Sequence, residues 1–69
     1  MEKKPYKEVE KDGMTYHVYT YHVKKGDTLF GLSIDYYNSR VGEALIKSWN
    51  NMKQLEAGMT IEVPVPINQ

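Results

Sequence analysis

Sixty-nine residues carry nine basic and nine acidic side chains and no cysteine, which leaves room for one small domain and excludes a disulfide framework or a thiolate metal site. A chain this short buries only about 60% of the surface its unfolded form exposes, so its stability must come from close packing. The balanced charge argues against nucleic acid, whose binders display clustered Lys and Arg: Lys3, Lys4, Lys7 and Lys11 are interleaved here with Glu2, Glu8, Glu10 and Asp12.

The start "MEKKPYKEVEK" has no apolar signal-peptide core, and no window approaches a membrane span. The expectation is a protein made and kept in the cytoplasm, with no membrane partner. Residues 1–4 are expected to fray. "PYKEVEKDGMTYHVYTYHV" reads as a β-hairpin turning at Asp12-Gly13, where Gly accepts positive φ freely and Asp tolerates it. The first arm, Tyr6 to Glu10, is charged and begins after Pro5, as edge strands do. In the second arm, Met14 to Val23, one face carries Tyr19, Tyr21 and Val23, and the other carries Tyr16, Val18 and Thr20.

The polar hinge Lys24-Lys25-Gly26-Asp27-Thr28 follows. From it the spacing of Leu29, Leu32 and Tyr36 and of Phe30, Ile34 and Tyr37 predicts a helix, with Thr28 or Asp27 as its N-cap. Gly31 inside this helix is expected to permit a close backbone approach, and Leu29 to sit in the core. A second helix is expected over Arg40 to Asn50, with Val41, Leu45 and Trp49 on one stripe and Trp49 packed between helix and sheet. Met59, Ile61 and Val63 then alternate as a half-buried strand, which Pro64 and Pro66 are expected to end. Pairing this strand antiparallel with residues 21–24, and laying both helices on one face, is the economical α+β solution.

The ordered set Tyr21, Val23, Gly26-Asp27-Thr28-Leu29, Ile46, Asn50, Leu55, Gly58, Ile61, Val63 and Pro64 resembles a LysM domain over residues 21–64, about two-thirds of the chain. The resemblance implies a βααβ fold with both helices on one face of a small antiparallel sheet, here with an N-terminal hairpin added. The corresponding division is an arm over residues 1–20, the domain over 21–64 and a tail over 65–69. It also implies binding of N-acetylglucosamine-containing glycans, peptidoglycan or chitin, in a shallow groove between two loops. By position the lips would be Gly26, Asp27, Thr28, Leu29 and Phe30 on one side and Asn51, Met52, Lys53, Gln54 and Leu55 on the other. The second lip, "NNMKQ", is shorter than family members usually have.

A freestanding LysM-like chain with an N-terminal extension and the "DYYNS" helix end is also similar to small tail proteins of contractile phages, the tail protein X group. That likeness implies a structural adaptor assembled in the cytoplasm into a virion or phage-like particle, contacting other tail or baseplate proteins; this is the leading expectation, and a glycan-binding module is the alternative. The Tyr16, Val18 and Thr20 face, with no helix layer over it, is the expected protein contact. No catalytic role is expected, because Asp27, Asp35, Glu43, Glu56 and Glu62 offer no recognisable carboxylate pair. His17 and His22 point to opposite faces of their strand and lack a third ligand, so neither a metal nor any other cofactor is expected.

Overall fold

The computed structural model describes residues 4–67. The expected fraying of residues 1–3 therefore lies outside the described residues. The elements are β1 (Lys7–Lys11), β2 (Met14–His22), α1 (Leu29–Tyr37), α2 (Gly42–Trp49) and β3 (Thr60–Pro66). They form a small α+β fold: an antiparallel sheet of order β1-β2-β3 with two helices. Asp12 and Gly13 turn the hairpin with φ of 54° and 80°, the paired positive values that match the twist of the strands.

The proline expectation is corrected. Pairing of β2 with β3 does not stop at Val63 but runs from His22 opposite Thr60 to Tyr16 opposite Pro66. The phase of the ladder explains this. Val23 N–H donates to Met59 O at 2.8 Å and Ile67 N–H to Thr15 O at 2.9 Å, so the hydrogen-bonded pairs are the odd-numbered residues of both strands. Pro64 and Pro66 oppose Val18 and Tyr16 at the intervening positions, where the backbone nitrogen points away from β2 and no ladder bond is lost.

The outward edge of β3 is closed by side chains. Asn50, just past the end of α2, accepts from Glu62 N–H at 2.8 Å and donates to Glu62 O at 2.7 Å. Its amide thus acts as a short surrogate strand, and it also donates to Ile46 O at 2.8 Å. Two residues further along, the Tyr37 hydroxyl donates to the Pro64 carbonyl.

The core lies between the helices and one sheet face. Val23, Leu32, Ile46, Ile61 and Val63 are buried, and Tyr19, Tyr21, Leu29, Tyr36, Tyr37 and Met52 pack around them. Between the helices, Ser33 is fully buried. Its hydroxyl donates to Ser39 O and accepts from Gly42 N–H at 2.8 Å. Gly42 has a steric reason as well: a Cβ there would collide with the Tyr37 ring. Gly31 is tight against its own helix cap, since a methyl group at that position would stand 3.2 Å from Thr28 Oγ1.

Two further expectations are corrected. Helix α2 starts at Gly42 rather than Arg40, and Val41 is 73% exposed instead of sharing a stripe with Leu45. Trp49 does not sit between helix and sheet but reaches round β3 to the opposite face. There its ring lies 5.1 Å from that of Tyr16, edge to face, and Lys11 Nζ is 5.2 Å from its centroid. On the face carrying Tyr16, Val18 and Thr20, Trp49 therefore covers part of Tyr16, Val18 is buried and Thr20 stays exposed.

Replacing Asn50 by Ala is expected to destabilise the fold by about 2–3 kcal/mol, because both Glu62 backbone groups lose their partner in a part-buried setting. Lys53→Ala, at an exposed loop position, should stay within about 0.5 kcal/mol. Urea denaturation of the two variants checks both values.

Candidate functional site

The loop from β2 to α1 is shaped by three hydrogen bonds on one aspartate. Asp27 N–H donates to Lys24 O at 3.0 Å, closing a turn in which Gly26 has φ of 93°. The carboxylate folds back, and its Oδ2 accepts from Lys24 N–H at 2.7 Å and from the Tyr21 hydroxyl at 2.7 Å. The Tyr21 hydrogen bond, followed by that from Lys24, holds the Asp27 carboxyl below its usual range. The same bond, with burial second, pushes the Tyr21 phenol up to about 12.

Of the two cap candidates, Thr28 is the one used. It is extended, with φ −130°, and its Oγ1 accepts from Gly31 N–H at 3.0 Å. Asp27 is left to brace the loop against the strand. Phe30, on the first turn of α1, is 52% exposed, with the Arg40 guanidinium 5.9 Å from its ring centroid.

The second loop begins in a helix-stop geometry. Asn51 has φ of 52°, Met52 N–H donates to Lys47 O at 3.0 Å, and Asn51 N–H to Ser48 O at 3.2 Å. This is the paired 6→1 and 5→2 arrangement that satisfies the last carbonyls of a helix. It turns Met52 inwards. Met52 and Leu55 then pack on the same apolar cluster as Leu29, while Asn51, Lys53 and Gln54 remain exposed. Further on, Gly58 N–H donates to Val23 O at 2.9 Å, tying the end of this loop to the start of the first.

The ten expected lip residues thus divide. Leu29, Met52 and Leu55 are partly buried and pack against the same core cluster. Gly26, Thr28, Phe30, Asn51, Lys53 and Gln54 are exposed, and Asp27 is half-buried and internally engaged. Two shallow recesses adjoin the second loop. One of about 310 Å³ is lined by Ala44, Lys47, Ser48, Asn51 and Met52. The other, of about 460 Å³, is lined by Met52, Lys53, Gln54, Glu56 and Met59. Neither includes a residue of the first lip.

Of the residues expected at a protein contact, Val18 is fully buried, Tyr16 is half-covered by Trp49, and Thr20 is exposed. Among the described residues, no group of three His, Asp or Glu side chains is placed to hold a metal. His17 Nε2 lies 3.3 Å from Glu8, and His22 Nδ1 lies 3.0 Å from Thr60 Oγ1. No described helix is long and apolar enough to cross a membrane.

The sequence profile of the LysM domain matches residues 21–64, more than half of the chain. The chain belongs to the LysM domain family. No curated protein and no solved structure matches it significantly. LysM domains are generally non-catalytic modules that bind peptidoglycan-type glycans. Within the LysM frame the signature residues Gly26, Asp27 and Asn50 all act on backbone: Gly26 turns it, Asp27 gathers it, and Asn50 pairs with it. The contributions of Ser33 and of the Tyr21–Asp27 bond were not apparent in the LysM pattern, since a hydroxyl six residues from its partner leaves no periodic trace.

The Tyr21–Asp27 pair makes stability depend on pH at both ends. Asp27 is depressed in the fold, so its contribution is complete above the ordinary carboxylate value near 4. It is lost as pH falls through the lowered folded value. Tyr21 is raised, so its contribution is intact below its ordinary value of 10.0 and is lost as pH rises through about 12. Thermal melts across this range should show both losses. Asp27→Asn should reduce the acid limb and bring the Tyr21 ionisation, read by ultraviolet absorbance, back towards its ordinary value.

Proposed function

We propose that this LysM chain binds N-acetylglucosamine-containing glycans, without catalysis, on the surface formed by Gly26–Phe30 and Asn51–Leu55. The observation that carries this reading is that Leu29 at the start of α1 and Met52 and Leu55 of the second loop all pack against one apolar cluster, while Phe30 is exposed. A saccharide offers such a surface apolar ring faces and N-acetyl methyl groups, while its amides and hydroxyls suit loop backbone and the exposed Asn51 and Gln54 side chains. The shallowness of the neighbouring recesses fits a ligand bound along its length rather than enclosed.

The absence of a catalytic role in this reading is supported by the state of Asp27. A glycosidase acid needs a raised pKa and an opposed second carboxylate. Asp27 is depressed, and its partners are Tyr21 and a backbone N–H.

A second reading, the adaptor in a phage-type contractile tail or baseplate, is favoured by the N-terminal hairpin. β1 lies outside the matched region, yet it is joined to the LysM sheet along its whole length from Lys7 opposite Val18 to Lys11 opposite Met14. Glu62 of β3 accepts from the Tyr6 hydroxyl and pairs with Lys7 Nζ at 3.2 Å. An arm fixed in this way gives the module a second, rigid surface for a neighbouring protein. Co-sedimentation of the chain with purified tubes or baseplates tests this; its consistent absence from such particles would remove the adaptor role.

Titration with chitin oligomers is expected to shift the amides of Gly26–Phe30 and Asn51–Leu55. Phe30→Ala should weaken binding about tenfold, equivalent to about 1.4 kcal/mol, with little change in melting temperature because Phe30 is largely exposed. A flat response at millimolar oligomer overturns the glycan reading.

A further inference from the structure

Along β2, next to Tyr36 of α1, lies a recess of about 450 Å³ lined by Lys4, Tyr19, Thr20, Tyr21, His22, Lys24 and Tyr36. Its size falls within the range of small-ligand sites. It shares no residue with the two loop lips, although Tyr21 and Lys24 also hydrogen-bond Asp27. Its walls are the rings of Tyr19, Tyr21 and Tyr36. Tyr36 stands 5.3 Å from Tyr19 and 6.4 Å from Tyr21, centroid to centroid, with interplanar angles of 58° and 85°. Its charged lining is Lys4 and Lys24, with no carboxylate among the lining residues. In a chain whose formal charges sum to zero, this is a local excess of cation over an aromatic surface.

The nearby acids Asp27 and Asp35 lie outside the lining. Asp27 is engaged by the Tyr21 hydroxyl and Lys24 N–H. Asp35, whose charge Tyr36 feels, is an exposed residue of α1 outside the lining. Lys24 Nζ lies 5.9 Å from the Tyr21 centroid, so the ammonium is positioned at the ring that forms one wall.

We propose that this recess is a binding site for an acidic saccharide, a sugar ring bearing a carboxylate or a phosphate. The angles between the rings decide the shape of the ligand. Planes tilted by 58° and 85° make a corner rather than a parallel-walled slot, which suits the C–H faces of a puckered ring better than a flat aromatic. The lysines supply the complement to the acidic substituent. Lys4 and Lys24 act as point charges, tolerant of either anion.

The site is tested by following the ring and amide resonances of Tyr19, Tyr21, Lys24 and Tyr36 during separate titrations of the full chain with glucuronate, glucose 6-phosphate and glucose. Glucuronate or glucose 6-phosphate should shift these signals with at least tenfold higher affinity than neutral glucose, and the tighter of the two identifies the anion. Lys4→Glu, at an exposed position outside the Asp27 turn, should abolish the preference while leaving the melting temperature and the response of Gly26–Phe30 to chitin oligomers unchanged. Equal affinity for glucose and both acids overturns the proposal. So does a response confined to Gly26–Phe30 and Asn51–Leu55, an outcome that would leave the glycan surface standing. Chitin-oligomer binding can fail without affecting this result, since the two surfaces have no lining residue in common.

Discussion

The pairing of one asparagine side chain with one backbone unit organises this molecule. β3 has β2 on one side only, and its other edge would expose unpaired N–H and C=O groups at Glu62. Asn50 supplies both partners and, from the same amide, a bond to Ile46 O. Because Asn50 directly follows α2, this contact fixes where the helix ends relative to the sheet. Asn51 then leaves in the left-handed region, and the second loop departs in the one direction that lets Met52 reach the core.

The side chain of the same residue, Glu62, does for the hairpin what its backbone does for α2. Its carboxylate accepts from the Tyr6 hydroxyl and from Trp49 Nε1 at 2.8 Å, and it pairs with Lys7. Those partners, Tyr6 first and Trp49 second, hold its pKa below the usual range. Trp49 consequently covers Tyr16 instead of entering the core. One residue thus joins β1, the end of α2 and β3. Lys7 is too exposed for the ion pair alone to stabilise much; convergence of several donors on one carboxylate is what orders the arm.

Much of this was legible in the sequence, where local chemistry had one outcome. Asp12-Gly13 could be satisfied by a hairpin turn, and Thr28 ahead of an apolar period by a helix cap. Ile46, Asn50, Leu55 and Gly58 carried the LysM family. Illegible features depended on a partner's phase or on geometry beyond one element. Pro64 and Pro66 read as stops because a ladder loses a bond at a proline only on alternate residues, and which alternate set applies is fixed by β2. The stripe of Val41, Leu45 and Trp49 drifts by about 40° at each four-residue step, enough to carry Trp49 off the core side, and Val41 precedes the helix altogether. Asp27 had two plausible sets of donors close in sequence, and Tyr21 settled the choice from the neighbouring strand.

The fate of Asp27 also bears on what the first loop can recognise. A carboxylate free at a loop tip would repel acidic ligands and attract cations. Here the carboxylate folds back against Tyr21 and Lys24 N–H, and the exposed positions around it are the uncharged Gly26, Thr28 and Phe30 together with Lys24 and Lys25. Lys24, which donates its backbone N–H to Asp27, also has its ammonium 5.9 Å from the Tyr21 centroid, so one residue takes part in the turn through its backbone and borders the aromatic recess through its side chain.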